Sequence, residues 1–328
     1  MQSAHTPIIS IVMPTYNMPN AILGKAVNSI LDQTIQDFEF IIVDDGSTKE
    51  TREYLEGLTD PRIQVIRNEH NLGITKSLNI GFRKAQGTYI ARMDSDDFSL
   101  PDRFEKQLAY MEAHPDIVVC GSKATHGKND MKARGKESQD METYRIKLLF
   151  SNPGPSHPTA FFRREELLRR HIEYDENLKY SQDYGMWMVI SQFGKIGILP
   201  DILVYRQENE GRISFVHKEE QIQCDKMTQR VLLSRLVEDV TDKELDLHYR
   251  CMSGRYKDVK LTKELRKWCR KLVDANNHKS IYDRKKFKKI IYKYKRRILL
   301  QSIAPEMLPL IKKVKQRLTT PGFTQNAR

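Results

Sequence analysis

Asp94-Ser95-Asp96-Asp97 puts three carboxylates into four residues. Carboxylates so crowded repel one another unless a cation or basic side chains stand among them. Hard oxygen ligands of this kind suit Mg²⁺ or Mn²⁺, ions that keep coordination positions for substrate phosphates. A plainer use also fits: Asp97 or Ser99 as the N-cap of a helix opened by Pro101. A second acidic cluster, Asp44-Asp45-Gly46-Ser47, offers acceptors to a ring N–H or a ribose hydroxyl. It reads equally as a turn, with Gly46 at positive φ and Ser47 or Thr48 capping the next helix. Asp183 opens an apolar helical run, where an acid in the first turn is favoured by the helix dipole. His157, in Ser156-His157-Pro158, is a base, a phosphate contact or a turn histidine. Arg67, Lys76, Arg83 and Arg92 fall near these segments, either to meet a diphosphate or as solvated surface charges.

Such residues need a scaffold that brings them to one edge, and the hydrophobic pattern supplies it. Short β-branched runs at residues 8–14, 38–43, 63–66 and 88–93 alternate with helical spacing at 21–31, 48–58 and 74–85. This βαβ alternation predicts a mostly parallel sheet with helices on both faces. Ligands of such sheets bind beyond the carboxyl ends of the strands. Those ends are polar here: Thr15-Tyr16-Asn17, Asp44 to Ser47, Asn68 to Asn71, and Asp94 to Asp97. Further along, 103–113 and 184–193 read as helices, and 117–120 and 159–162 as strands. Residues 196–205 read as a strand pair broken at Pro200-Asp201, and 127–139 as an exposed loop or hairpin. Past about residue 216 the strand signals stop. The organisation expected is a catalytic domain over residues 1–215 followed by a helical, strongly basic region over 216–328.

The chain has 328 residues and a formal net charge of +12. Residues 1–249 carry 31 Lys and Arg against 38 Asp and Glu, a net of −7, whereas residues 250–328 carry 24 against 5, a net of +19. An acidic body with a basic end argues against a main domain that tracks a phosphate backbone, and no nucleic-acid partner is expected. The hydrophobic fraction of 39% excludes wholesale disorder. The four cysteines form no CxxC pair, so neither a disulfide framework nor a thiolate zinc site is expected. Residues 1–10 carry no signal-peptide pattern, and no apolar run approaches the roughly 18 residues of a spanning helix. The expected location is the cytoplasm, free or peripheral to the membrane. GxGxxG and GxxxxGK[ST] are both missing from the sequence, which argues against a dinucleotide-binding domain and a P-loop enzyme.

In order and spacing, seven segments resemble family 2 glycosyltransferases over residues 7–215. They are SIVMPTYN (10–17), IIVDDGST (41–48), NLGITKSLNIGF (71–82), YIARMDSDDFSLPDRFEKQ (89–107), SHPTAFFRR (156–164), YSQDYGMW (180–187) and YRQENEGRIS (205–214). The resemblance implies an α/β GT-A fold, Rossmann-like, with a mostly parallel mixed sheet flanked by helices. It implies an inverting, hexosyltransferase-type enzyme that moves a sugar from a nucleotide-sugar, such as a UDP-sugar, to a hydroxyl of a glycan or lipid-linked acceptor, in bacterial surface-polysaccharide synthesis. Pro14, Thr15 and Asp45 would meet the nucleoside, and Lys76, Asn79, Arg92, Asp94 and Ser95 the rest of the donor. Asp94-Ser95-Asp96 matches the DxD motif, with a divalent ion (Mg²⁺ or Mn²⁺) at Asp94 and Asp96 and with Asp97 beside it. Asp183 falls at the position of the catalytic base. His157, Trp187 and Arg206 fall on the acceptor or diphosphate side. Many relatives carry an arginine where Leu78 precedes Asn79, which leaves Lys76 or Arg92 for the diphosphate. The alternatives are a nucleotidyltransferase, whose glycine- and lysine-bearing loop residues 9–17 lack, and a membrane or nucleic-acid adaptor that works through the basic end.

In that basic end, Phe287, Ile290, Ile291, Tyr294 and Ile298 fall on one helical face, opposite nine Lys and Arg. Leu310, Ile311, Val314 and Leu318 repeat the pattern. Basic amphipathic helices of this kind fit an anionic membrane surface, and the same stripe fits packing on the body. The resemblance favours the membrane, because lipid-linked acceptors lie there, and residues 279–318 would then hold the enzyme to it.

Overall fold

The first eighty-odd described residues alternate strand and helix. In the computed structural model, which describes residues 5–125, 140–207, 216–253 and 262–303, β1 (Ile9–Thr15), β2 (Phe38–Asp44), β3 (Ile63–Arg67) and β4 (Tyr89–Arg92) are separated by α1 (Asn20–Leu31), α2 (Lys49–Glu56) and α3 (Ile74–Lys84). The strands pair in parallel in the order β3-β2-β1-β4. β1, β4 and nearly all of β2 are buried, so their sequences are almost unbroken apolar runs, as strands covered on both faces require. α1 turns Leu23, Ala26, Val27 and Ile30 inward, at helical spacing. α3 approaches so closely that a Cβ on Gly81 would lie 2.3 Å from Val12 Cγ1.

The sheet then turns antiparallel. β7 (Phe161–Arg163) pairs antiparallel with both β4 and β6 (Ile117–Thr125). β8 (Lys195–Arg206) runs parallel to β6, and β5 (Asp97–Ser99) pairs antiparallel with β8 at the sheet edge. The full order is β3-β2-β1-β4-β7-β6-β8-β5. Three further helices, α4 (Arg103–Ala113), α6 (Arg164–Arg169) and α7 (Gln182–Ile190), complete this part, and α5 (Met141–Leu148) is described below. Two local expectations are corrected. Asp97 and Ser99 do not cap a helix; they are strand residues, and the cap position of α4 is held by Asp102 without a side-chain capping bond. Residues 195–206 form one strand. Its pairing steps from Gly121↔Ile198 to Lys123↔Ile202, an irregularity that absorbs the N–H missing at Pro200. The excursion expected at 127–139 lies outside the described residues.

Two compact units result: Met1–Met141 with Asn152–Thr228, and Glu142–Ser151 with Gln229–Arg328. The second unit is helical. It comprises nearly all of α5, the last part of α8 (Lys218–Leu236), α9 (Asp242–Met252), α10 (Lys263–Lys279) and α11 (Arg284–Ile303). α9 begins on a reciprocal capping box, in which Thr241 Oγ1 accepts from the Glu244 N–H and Glu244 Oε2 from the Thr241 N–H. Leu245, Tyr249, Met252, Leu265, Trp268 and Leu272 are buried, and so are Phe287, Ile290, Ile291 and Ile298 of α11. The Tyr294 ring lies 4.6 Å from that of Phe150. The apolar stripe of α11 is therefore covered within its own unit, and only the other faces remain for a membrane. The repeat at 310–318 lies outside the described residues. Among the described residues, no helix is long and apolar enough to cross a membrane.

His248 sits in this helical core with no exposed surface. Its Nε2 bonds to the Leu149 carbonyl at 2.7 Å, and its Nδ1 accepts from Trp268 Nε1 at 3.0 Å. Burial pushes the imidazole down to about 4 from an ordinary 6.5. The unfolded chain therefore takes up a proton below about pH 6.5 that the folded unit refuses. Stability falls as the pH drops through that window and levels off below about pH 4. The full loss is about 3 kcal/mol. Urea unfolding between pH 7 and pH 4 checks this, and the slope should flatten in His248→Gln.

Candidate active site

At the carboxyl ends of β1, β2 and β4 lies a cavity of about 820 Å³. Its floor and walls include Pro14, Thr15, Asp45, Lys76, Asp94, Ser95 and Asp96, all of them expected site residues. Tyr16 and Asn17, of the polar end of β1, line it as well, and so do Leu72, Gly73, Glu176, Lys179, Tyr180 and His217, which carry no separate signal in the sequence. Asp45 anchors one wall. Its Oδ1 accepts from Asn68 Nδ2 and the Leu72 N–H, and its Oδ2 from the Gly73 N–H, each at 2.8 Å. A carboxylate has about four acceptor positions, so one is left for a ligand. Gly46 makes the neighbouring turn possible: its φ is +75°, and a Cβ there would meet His70 carbonyl carbon at 2.6 Å. Asp44 faces away from the cavity and holds the turn, accepting from the Ser47 N–H and Arg67 Nη1 at 2.9 Å each. Thr15 Oγ1 and Thr75 Oγ1 are buried and have no hydrogen-bond partner among the described residues.

The acidic turn after β4 is the second feature. Ligand atoms of Asp94, Asp96 and Asp97 lie within 4.8 Å of one another. Asp97 is 2% exposed, and burial, with Asp94 and Asp96 beside it, pushes its carboxyl up to about 8. Its Oδ2 is buried and makes no hydrogen bond, and it forms an ion pair with Arg206 Nε at 3.8 Å. Three carboxylates stand against the two guanidiniums of Arg92 and Arg206, and an oxygen without a hydrogen bond remains, an arrangement that fits a divalent cation. Arg92, 2% exposed, pairs with both oxygens of Asp94, donating from Nη1 to Oδ2 at 2.6 Å and from Nη2 to Oδ1. It is not among the residues that line the cavity.

Arg92 is also the charge around which the remaining candidates gather. Its field acts on Asp97, His157, Tyr174 and Asp183. His157 Nε2 and the Tyr174 hydroxyl share a hydrogen bond of 2.9 Å. Burial, then Arg92 and Arg206, hold the imidazole well below its ordinary value, so His157 is neutral and brings no charge to a diphosphate. Asp183 stands in the first turn of α7. Its Oδ2 accepts from Asn152 Nδ2 at 2.7 Å, and its Oδ1 from the Tyr184 N–H at 2.8 Å. Burial raises its proton affinity above that of an ordinary carboxylate, Asp225 adds to the rise, and the two hydrogen bonds and Arg92 oppose it. Two other expected residues make packing contacts. Asn79 staples α3 to the backbone N–H and carbonyl of Tyr174, at 2.9 and 3.0 Å. Trp187 is fully buried and stacks on Phe162 with centroids 5.9 Å apart.

The profile of the family described as Glycosyl transferase family 2 matches residues 10–171. An uncharacterized glycosyltransferase of Haemophilus influenzae is 30% identical over 235 residues, covering 68% of this chain and 72% of that one. The chain belongs to glycosyltransferase family 2. This family 2 enzyme is also similar to the amylovoran biosynthesis glycosyltransferase AmsE of Erwinia amylovora, 31% identical over 206 residues that cover 60% of this chain and 75% of AmsE. Its fold is similar to the crystal structure of S. aureus TarS 1–349 in complex with UDP-GlcNAc. The TM-score is 0.56 at 19% identity, with coverage of 88% and 91%. The mixed eight-stranded sheet flanked by helices is thus the GT-A architecture that the motifs implied, and the glycosyltransferase profile ends before α7 and Asp183.

Proposed function

We propose that this family 2 glycosyltransferase moves a hexose, with inversion, from a UDP-sugar to a hydroxyl of a glycan or lipid-linked acceptor in surface-polysaccharide assembly. One observation carries the reading: a single cavity joins the Thr15–Asp45 wall to Asp94 and Asp96 of the carboxylate cluster. UDP-GlcNAc in the TarS complex supports that donor, and the amylovoran-biosynthesis relative supports the biosynthetic role. Thr15 Oγ1 and the remaining acceptor of Asp45 would hold the nucleoside. Lys76, half-exposed at the cavity and 4.0 Å from Glu176, would meet the phosphates. Asp94, Asp96 and Asp97 would hold Mg²⁺ or Mn²⁺, whose charge would stabilise the diphosphate leaving group. Asp183 would take the proton of the acceptor hydroxyl as that oxygen attacks the face of the sugar opposite the diphosphate. The transition state is oxocarbenium-like, and one displacement turns an α-linked donor into a β-linked product. The test is a screen of nucleoside diphosphate sugars for diphosphate release with Mn²⁺. Turnover of UDP-GlcNAc or another UDP-sugar is expected, whereas turnover confined to GDP- or dTDP-sugars would overturn the uridine assignment.

A peripheral position at the membrane is proposed on one further observation. Lys285, Lys288, Lys289, Tyr292 and Arg296 are exposed along one side of α11, which has no acidic residue. Such a stripe is attracted to anionic headgroups, and salt screens the attraction. The protein is expected to pellet with phosphatidylserine vesicles at low salt and to stay in solution at high salt. Pelleting should be lost in the Lys285→Glu, Lys288→Glu, Lys289→Glu triple variant, and pelleting unchanged in that variant contradicts the assignment.

A further inference from the structure

α8 follows the last of the motif segments, and its first turns grip the chain just ahead of Asp183. His217, Gln221 and Asp225 are spaced four apart, so they share one face. The His217 ring stacks on Tyr180 with centroids 4.4 Å apart and planes 12° apart. Gln221 Nε2 donates to the Tyr180 carbonyl at 3.1 Å. Ser181 Oγ donates to Asp225 Oδ1 at 2.5 Å, and Asp225 is only 5% exposed. Three consecutive steps of one helix face thus hold two consecutive residues, and Asp183 comes two residues later. Tyr180 and His217 also line the donor cavity.

We infer that the start of α8 is a positioning element for the catalytic base, with Asp225 as the residue that, through Ser181, fixes where Asp183 stands. This rests on the assignment of Asp183 as the base and adds a residue outside every motif. Asp225 does not touch substrate; it acts through Ser181 and through its negative charge. Among the described residues, the charged and titratable groups that act on Asp183, or on which it acts, are Asp225, Arg92 and Tyr174. Asp225 raises the proton affinity of Asp183 and Arg92 lowers it, so removing the Asp225 charge moves Asp183 down.

The experiment compares the full-length wild type with Asp225→Asn, Ser181→Ala and Asp183→Asn. It reads UDP affinity, turnover of the UDP-sugar proposed above, and the titration of Asp183 by ¹³C NMR of labelled aspartate, with Asp183→Asn giving the assignment. Asp225→Asn is expected to move the Asp183 midpoint to lower pH and to reduce kcat by about 10-fold, with UDP affinity unchanged. Ser181→Ala keeps the charge and removes the bond, so it should reduce kcat without that downward move. An unmoved midpoint in Asp225→Asn overturns the inference, whether turnover is normal or falls together with UDP affinity and melting temperature. Should Asp225→Asn not fold, Ser181→Ala decides, and wild-type turnover there overturns the inference. Wild-type turnover in Asp183→Asn is a different failure: it removes the base assignment itself, and the inference with it.

Discussion

Asp183→Asn is expected to lower sugar transfer by about 10³-fold and to leave UDP affinity within about two-fold of wild type. The substitution keeps the shape of the side chain. An amide oxygen still accepts from the Tyr184 N–H, and the Asn152 amide is free to turn and bond the new NH₂ group. What disappears is a basic oxygen whose proton affinity burial has raised above the ordinary carboxylate range. A base poised in this way sits nearer the working pH than a solvated aspartate and is better matched to proton removal from a hydroxyl. Asp183 does not line the cavity proposed to hold the nucleotide, so kcat should carry the loss and donor binding should not. Steady-state kinetics together with a UDP titration separate the two. Near-wild-type transfer by the variant removes Asp183 from the mechanism.

Arg103→Ala is expected to destabilise the first unit by about 4 kcal/mol. Arg103 has no exposed surface, and each of its three guanidinium nitrogens donates a hydrogen bond to oxygen. Its Nη2 donates to the Arg92 carbonyl at 2.7 Å, its Nη1 to Ser99 Oγ at 2.9 Å, and its Nε to Gln107 Oε1 at 2.9 Å. One guanidinium therefore ties the end of β4, strand β5 and helix α4 together, and Asp94 to Asp96 lie between the first two. Burial, helped by Arg92, pushes its pKa down to about 9, so it remains charged at pH 7. Removing it relieves that desolvation but leaves a void and three acceptors without a donor. Truncation to alanine in a core costs about 2–5 kcal/mol, and each orphaned acceptor about 1–3 kcal/mol more, so the loss exceeds the relief. Thermal unfolding should show a melting temperature lower by about 10 °C. An unchanged melting temperature contradicts the bracing role.

The parallel half of the fold was open to reading because each strand there is a short apolar run and each helix has a clear face. The helices expected at 74–85 and 103–113 are found at Ile74–Lys84 and Arg103–Ala113. β5 was missed because three polar-flanked residues carry no periodicity, and their strand character comes from β8, about a hundred residues later. Residues 195–206 were divided at Pro200 because a proline marks a break locally, and only the partner strand reveals that the ladder steps around it. The cavity residues Thr15, Asp45, Asp94 and Asp96 were legible because polar side chains at the ends of apolar strands have few other uses. The directions of Arg92, Asn79 and Trp187 are not legible in the same way. Which way each side chain points is decided by distant neighbours: Asp94 across a turn, Tyr174 ninety-five residues on, and Phe162 in β7. Tyr174, Arg103 and Asp225 went unassigned because a lone tyrosine, arginine or aspartate outside a cluster gives no signal until the chain folds.

The cavity and the carboxylate cluster are claimed to act together on one ligand, a nucleoside diphosphate held with a divalent ion. Calorimetric titration of UDP into the protein, with and without Mn²⁺, tests this most directly when run on the wild type and on Asp96→Ala. Wild-type binding that is strengthened at least about 10-fold by Mn²⁺, with the gain lost in Asp96→Ala, is the predicted result. UDP affinity that is the same with and without the ion, or a Mn²⁺ gain that survives in Asp96→Ala, would contradict it.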